Sequence, residues 1–174
     1  NPTELCNRTC SFCPRSDPKV YPNRNLQMDI DIAEKIVADL SSANYTGDIH
    51  VTGFGEPTLN PNIFKLIKIF SKFYTETITN GDRLLSGQIT HQQFSDAGLS
   101  MLIVDCYDGD EQYYKMQDLL KDCKINYRIR NHHDTGEPEL IKQYNYNNRG
   151  GLVQEAETLF RPCWLPFYKA FIDW

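Results

Sequence analysis

Cys6-Asn7-Arg8-Thr9-Cys10-Ser11-Phe12-Cys13 places three cysteines within eight residues, spaced C-x3-C-x2-C, and Pro14 and Arg15 follow. On a strand these three positions do not share one face, and on a helix they would form a row about 10 Å long rather than wrap a ligand. The stretch therefore reads as a loop wrapped around something that thiolates bind. Three soft thiolates suit an iron–sulfur cluster or zinc. A loop with three ligands leaves one iron of a cubane open, and a small molecule can bind there. A closed structural zinc site wants a fourth ligand. Cys106, Cys123 and Cys163 are distant in sequence and form no second C-x2-C pair.

Outward from the triplet, 174 residues suffice for one domain with a real core. A net charge of −5 gives a bulk surface not built for nucleic acid. No apolar run reaches membrane-spanning length, and no signal peptide is visible. A tight cysteine triplet is poor disulfide material and good ligand material, which fits a reducing cytoplasm. Asn1 to Leu5 reads as the tail of a strand and Phe171 to Trp174 lies in strand-like sequence. The expectation is a fragment cut at both ends.

Helical spacing of Ile30, Ala33, Ile36, Val37 and Leu40 predicts a helix from Asp29, its N-cap, to Leu40. Asp48–Thr52 reads as a short strand between Gly47 and Gly53. Ile63, Leu66, Ile67 and Phe70 mark a second helix, opened by Asn60-Pro61. Glu76–Thr79 is a strand stopped by Asn80-Gly81, Leu84–Ala97 a weaker helix ended by Gly98, and Met101–Asp105 a strand. Tyr113, Met116, Leu119 and Leu120 line a further helix, and Ile125–Arg130 is the last strand. Alternation with short links predicts α/β architecture with parallel strands, either an open doubly wound sheet or a barrel. Functional loops in both follow the C-terminal ends of strands.

With Phe12 in the aromatic slot, the triplet resembles the C-x3-C-x-aromatic-C motif of the radical S-adenosylmethionine enzymes. The resemblance implies a partial (β/α)6 TIM-type barrel over residues 1–152. Residues 153–174 would begin an incomplete SPASM or Twitch-like extension. It implies that Cys6, Cys10 and Cys13 hold a [4Fe–4S] cluster whose open iron chelates S-adenosylmethionine. Electron transfer then cleaves the sulfonium, and the resulting 5′-deoxyadenosyl radical abstracts a substrate hydrogen.

Later segments extend the resemblance. Gly53-Phe54-Gly55-Glu56-Pro57 resembles the family's Gly-Gly-Glu-Pro motif, which binds the methionine amine, with Phe54 in place of the first glycine. An ammonium wants carbonyl or carboxylate acceptors, and Glu56 either supplies one or braces the loop. The same residues also make an ordinary Gly-Pro turn. Thr79-Asn80-Gly81 matches a frequent family tripeptide and supports the register, although Asn-Gly is also a common turn dipeptide; Asn80 could then lie near the cofactor. Asp105, and after it Asp108, are candidates to accept from the ribose hydroxyls, although Asp108 also suits a helix N-cap. Cys106 and Cys123 read as small buried residues. Arg128 and Arg130 share one strand face. Facing inward they could clamp the methionine carboxylate or an acidic substrate group, and facing outward they would meet helix carboxylates. His132 and His133 at the strand end could serve substrate binding, and as paired loop histidines they also read as solvated polar residues. Asn148-Arg149-Gly150-Gly151 resembles a segment of members with SPASM or Twitch extensions, aminocyclitol dehydrogenases among them. Arg149 would then contact cofactor or substrate. Cys163 would be the first ligand of a second, auxiliary cluster.

The function implied is hydrogen abstraction from a small polar substrate or a peptide, with dehydrogenation of an aminocyclitol or sugar foremost. A flavodoxin- or ferredoxin-type reductant would supply the electron. A radical peptide-modifying maturase is the alternative within the family. A zinc-stabilised binding module without catalysis is the alternative outside it.

Overall fold

A computed structural model describes residues 1–10, 13–19 and 21–132. The expectations for Phe12, His133, Arg149, Cys163 and the extension 153–174 lie outside the described residues. Among the described residues four strands form one sheet: β1 (Ile49–His50), β2 (Thr75–Thr79), β3 (Met101–Cys106) and β4 (Asn126–Asn131). They are ordered β1-β2-β3-β4 and every pair is parallel. The crossovers carry α1 (Ile30–Ser42), α2 (Ile63–Phe70), α3 (Asp82–Leu85), α4 (His91–Asp96) and α5 (Asp110–Leu120).

The strand order decides between the two sheet types. A doubly wound sheet reverses direction at a switch point. Here each strand is added on the same side of the last, so right-handed crossovers lay the helices on one face. Helix contacts agree: α1 packs on α2, α2 on α4, and α3 on α5. The sheet is not closed among the described residues, and its winding is that of a partial TIM-type barrel wall.

Burial divides the two faces. Leu102, Val104 and Cys106 of β3 are fully buried toward the helices, with Leu66, Ile67, Phe94, Met116 and Leu120. Thr77 and Thr79 stand beside Leu102 and Val104 in register. The opposite face carries His50, Glu76, Ile78, Ile103, Asp105, Arg128 and Arg130, paired across strands in the register His50–Glu76, Ile78–Ile103, Ile103–Arg128 and Asp105–Arg130. Arg128 and Arg130 thus face the barrel interior.

Three expectations change. Residues 1–5 hold no parallel pairing to the sheet; Thr3 makes a lone antiparallel bridge to Gln27. The Thr3 hydroxyl donates to Leu26 O and accepts from Leu5 N–H, which diverts the segment from a ladder. The single helix expected over Leu84–Ala97 is two, α3 and α4. Gly87 breaks it at φ 71°, and a capping box restarts it, with Thr90 and Gln93 exchanging side-chain-to-backbone bonds. The helix expected to open at Asn60-Pro61 starts at Ile63, because Pro57–Leu59 is a separate 3-10 turn that ends at Asn60.

Candidate metal and cofactor site

Three segments meet at the C-terminal ends of the strands: the cysteine loop, the Gly53–Pro57 loop after β1, and the Asn80–Asp82 segment after β2. Their junction is polar. Glu56 is 3% exposed. Its Oε1 accepts from the Thr58 amide at 3.1 Å, the Thr58 hydroxyl at 2.7 Å and the Thr79 hydroxyl at 2.6 Å, and its Oε2 from the Asn80 amide at 2.8 Å. Burial pushes the Glu56 carboxyl up, and these donors work against it. With both oxygens engaged, Glu56 braces the loop.

Gly55 permits the next contact. A Cβ there would stand 2.7 Å from Leu5 O and closer still to Thr3 O. The bare backbone lets Glu56 N–H donate to Leu5 O at 2.7 Å, one residue before the first cysteine. Arg15, which is buried, ties the other end of the loop. It donates through Nε to Phe54 O at 2.6 Å, through one terminal nitrogen to Asn23 Oδ1 at 3.1 Å, and through the other to Glu4 O. The Phe54 ring lies outward, 5.1 Å from the Tyr21 ring, so its departure from a glycine leaves the loop's path intact.

Arg8 is the residue that the sequence analysis passed over. Its guanidinium forks between Asp82 (Nε 2.8 Å, Nη2 2.5 Å) and Asp108 (Nη1 2.8 Å, Nη2 2.6 Å). Neighbouring Asn7 donates to Asp82 Oδ2 at 2.7 Å and accepts from Asn80 Nδ2 at 2.8 Å. Asp108 therefore serves Arg8; the α5 N-cap is Gly109.

At the end of β3, Asp105 accepts from Arg130 Nε at 2.5 Å and Nη2 at 2.7 Å, and from the Tyr107 hydroxyl at 3.2 Å. His132 Nε2 stands 3.3 Å from the same carboxylate, its ring stacked on Tyr107 at 5.7 Å. The expectation of a solvated His132 gives way to an ordered contact. Burial alone would raise the Asp105 carboxyl; bonds from His132 and Arg130 outweigh it and hold the group below the ordinary value. Arg128 is exposed on the same face, one layer down.

Cys6, Cys10 and Cys13 are half-buried thiols, none in a disulfide among the described residues. Burial raises those of Cys6 and Cys13, and the nearby backbone amides and the Arg15 cation oppose it. Such thiols stay protonated until a cation replaces the proton, as metal ligands do. Among the described residues no three His, Cys, Asp or Glu side chains converge as one ion would require. Three thiols on one loop are the donor set that an iron–sulfur cluster takes, each sulfur on a different iron. Cys106 is fully buried among apolar side chains, its thiol pushed up to about 11 by burial, and Cys123 is half-buried against the same core.

The model of the Radical SAM superfamily matches residues 1–134. This chain belongs to the radical SAM superfamily. A curated relative is the S-adenosyl-L-methionine-dependent 2-deoxy-scyllo-inosamine dehydrogenase of Niallia circulans, 27% identical over 114 residues, which are 63% of this chain and 44% of the relative. The crystal structure of BtrN in complex with AdoMet and 2-DOIA superposes with a TM-score of 0.62 at 24% identity, over 75% of this chain and 54% of that one. BtrN in an open conformation gives 0.51 at 23% identity, over 74% and 52%. This radical SAM chain spans about half the length of the relatives it matches. Membership sets aside the zinc-module alternative and implies a [4Fe–4S] cluster and S-adenosylmethionine. No described helix is long and apolar enough to cross a membrane.

Proposed function

We propose that Cys6, Cys10 and Cys13 hold a [4Fe–4S] cluster beside an S-adenosylmethionine pocket, and that the protein oxidises a secondary alcohol of an aminocyclitol or sugar. The observation that supports this best is the cysteine loop of a radical SAM chain fastened over the ends of parallel strands. When bound, the pair supplies reductive sulfonium cleavage and a 5′-deoxyadenosyl radical for hydrogen abstraction.

The chain's own residues position and exclude water. Glu56 and Asn80 hold the loop carrying Gly55 and Pro57, so backbone carbonyls there, rather than the engaged Glu56 carboxylate, receive the methionine ammonium. Asp105, fixed by Arg130, is the proposed acceptor for ribose hydroxyls, which would take the places of its longer contacts with Tyr107 and His132. Arg128, inward and exposed, is free to meet a carboxylate. Arg149 is the proposed substrate contact, and Cys163 the proposed ligand of an auxiliary cluster in a SPASM or Twitch-type extension. The substrate class follows the named dehydrogenase relative. A flavodoxin- or ferredoxin-type protein is the proposed reductant.

The test is anaerobic reconstitution of the protein followed by dithionite and S-adenosylmethionine. The expected outcome is about four irons with labile sulfide per chain. 5′-Deoxyadenosine should be released, and more of it in the presence of an aminocyclitol alcohol that becomes a ketone. A brown, loaded protein that releases no 5′-deoxyadenosine overturns the proposal. Release that no alcohol or sugar raises overturns its substrate half.

A further inference from the structure

The first half of the cysteine loop does not rest on its own local bonds. Arg8 reaches from between Cys6 and Cys10 to two aspartates on different elements, Asp82 at the start of α3 and Asp108 ahead of α5. Four N–H···O bonds at 2.5–2.8 Å form a planar fork, which lysine cannot reproduce. Asp82 Oδ2 also takes Asn7, so two successive loop residues converge on one carboxylate. The Arg8–Asp82 pair is partly buried, with side chains 18% and 27% exposed, and the Arg8 cation lies 5.6 Å from the Tyr107 ring.

We propose that Arg8 is a positioning residue for the metal site: its fork between Asp82 and Asp108 latches the Cys6–Cys10 segment to the ends of β2 and β3. The proposal rests on the cluster reading of the triplet. Amide bonds to ligand sulfurs and nearby cations favour the more negative, reduced state of an iron–sulfur centre, and nearby anions disfavour it. One cation between two aspartates therefore acts twice, through geometry and through charge.

The variants Arg8→Gln, Arg8→Lys and Asp108→Asn separate the two effects. Reconstituted proteins are followed for cluster loss under chelator and for midpoint potential without S-adenosylmethionine. Iron-free proteins are followed for amide exchange of residues 6–10. Losing one charge-assisted bond is worth about tenfold in an equilibrium. Arg8→Gln should lose its cluster about tenfold faster, at a more negative potential. Arg8→Lys should lose it nearly as fast, with a smaller potential shift, because the charge remains. Asp108→Asn leaves the fork on Asp82 and should move the potential the opposite way. A merely structural arginine would give no opposed shifts. The latch fails if Arg8→Gln matches wild type in retention and potential, or if both variants shift the potential in the same direction. Should wild type take up no iron and sulfide, the cluster reading fails. In that case faster exchange in iron-free Arg8→Gln still supports the latch, and unchanged exchange overturns it.

Discussion

At the scale of single residues, Glu56 shows how a buried carboxylate is made tolerable. Four donors reach its two oxygens, and each supplies part of what water would have supplied. Glu56→Gln replaces one acceptor with an NH2 group that must face a hydroxyl pair or the Asn80 amide. It should cost about 1.5–3 kcal/mol of stability. It should also weaken S-adenosylmethionine binding by loosening the loop that Gly55 carries past Leu5. Urea unfolding and equilibrium dialysis check the pair, and an unchanged midpoint would show that the donors are satisfied elsewhere. Asp105 gives a pH dependence whose sign is fixed by its partners. Its carboxyl lies lower in the folded chain than in the unfolded one, where it sits near 3.9. Its stabilising contribution is complete above that value and is lost as pH falls through the lower, folded one. The stability of Asp105→Asn should therefore fall less steeply than wild type below about pH 4. Parallel acid limbs in the two unfolding profiles would show that Arg130 and His132 do not couple to it. Glu56 was legible in the sequence as a position, because Gly-Glu-Pro follows a strand. Its role was not legible, because its donors Thr79 and Asn80 lie on another element.

Among elements, local chemistry was readable where it was strong and hidden where spacing misled. The strands behind Thr75–Thr79, Met101–Cys106 and Asn126–Asn131 were found within a residue or so, since apolar runs between turn signals are local facts. The helix over Leu84–Ala97 was misread because apolar Ile89 and Phe94 were counted in one run, although five apart they do not share a helix face. Yet Thr90-His91-Gln92-Gln93 is a capping-box sequence and could have marked the restart. Thr90→Ala should cost about 1 kcal/mol, measured by thermal or urea unfolding. No change would mean that Phe94, fully buried, holds α4 without its cap. The Arg8 contacts are a different case. They join residues separated by 74 and 100 positions, and no local pattern announces such a pairing.

For the whole molecule, the metal site hangs on strand ends while the core lies on the other side of the sheet, between β3 and the helices. Stability and metal binding should therefore separate. Replacing Cys6, Cys10 and Cys13 together by alanine should leave iron-free stability within about 1 kcal/mol of wild type. The variant should take up no cluster. A large loss of stability would mean that the half-buried thiols belong to the core after all. The Thr3–Gln27 bridge adds a further consequence. With Glu4 N–H on Leu26 O at 3.0 Å, Met28 N–H on Pro2 O at 2.8 Å and Arg24 paired to buried Glu4, it closes the base of the whole excursion that carries the cysteines. An excursion drawn shut at its neck can melt and reform as one cooperative unit without opening the sheet beneath it. Before iron arrives, the Cys6 and Cys13 amides should trade hydrogen for deuterium well ahead of those of Glu4 and Met28. Insertion of iron would then disturb this unit alone: the string of the purse is tied before the metal enters, and the cloth beneath it stays still.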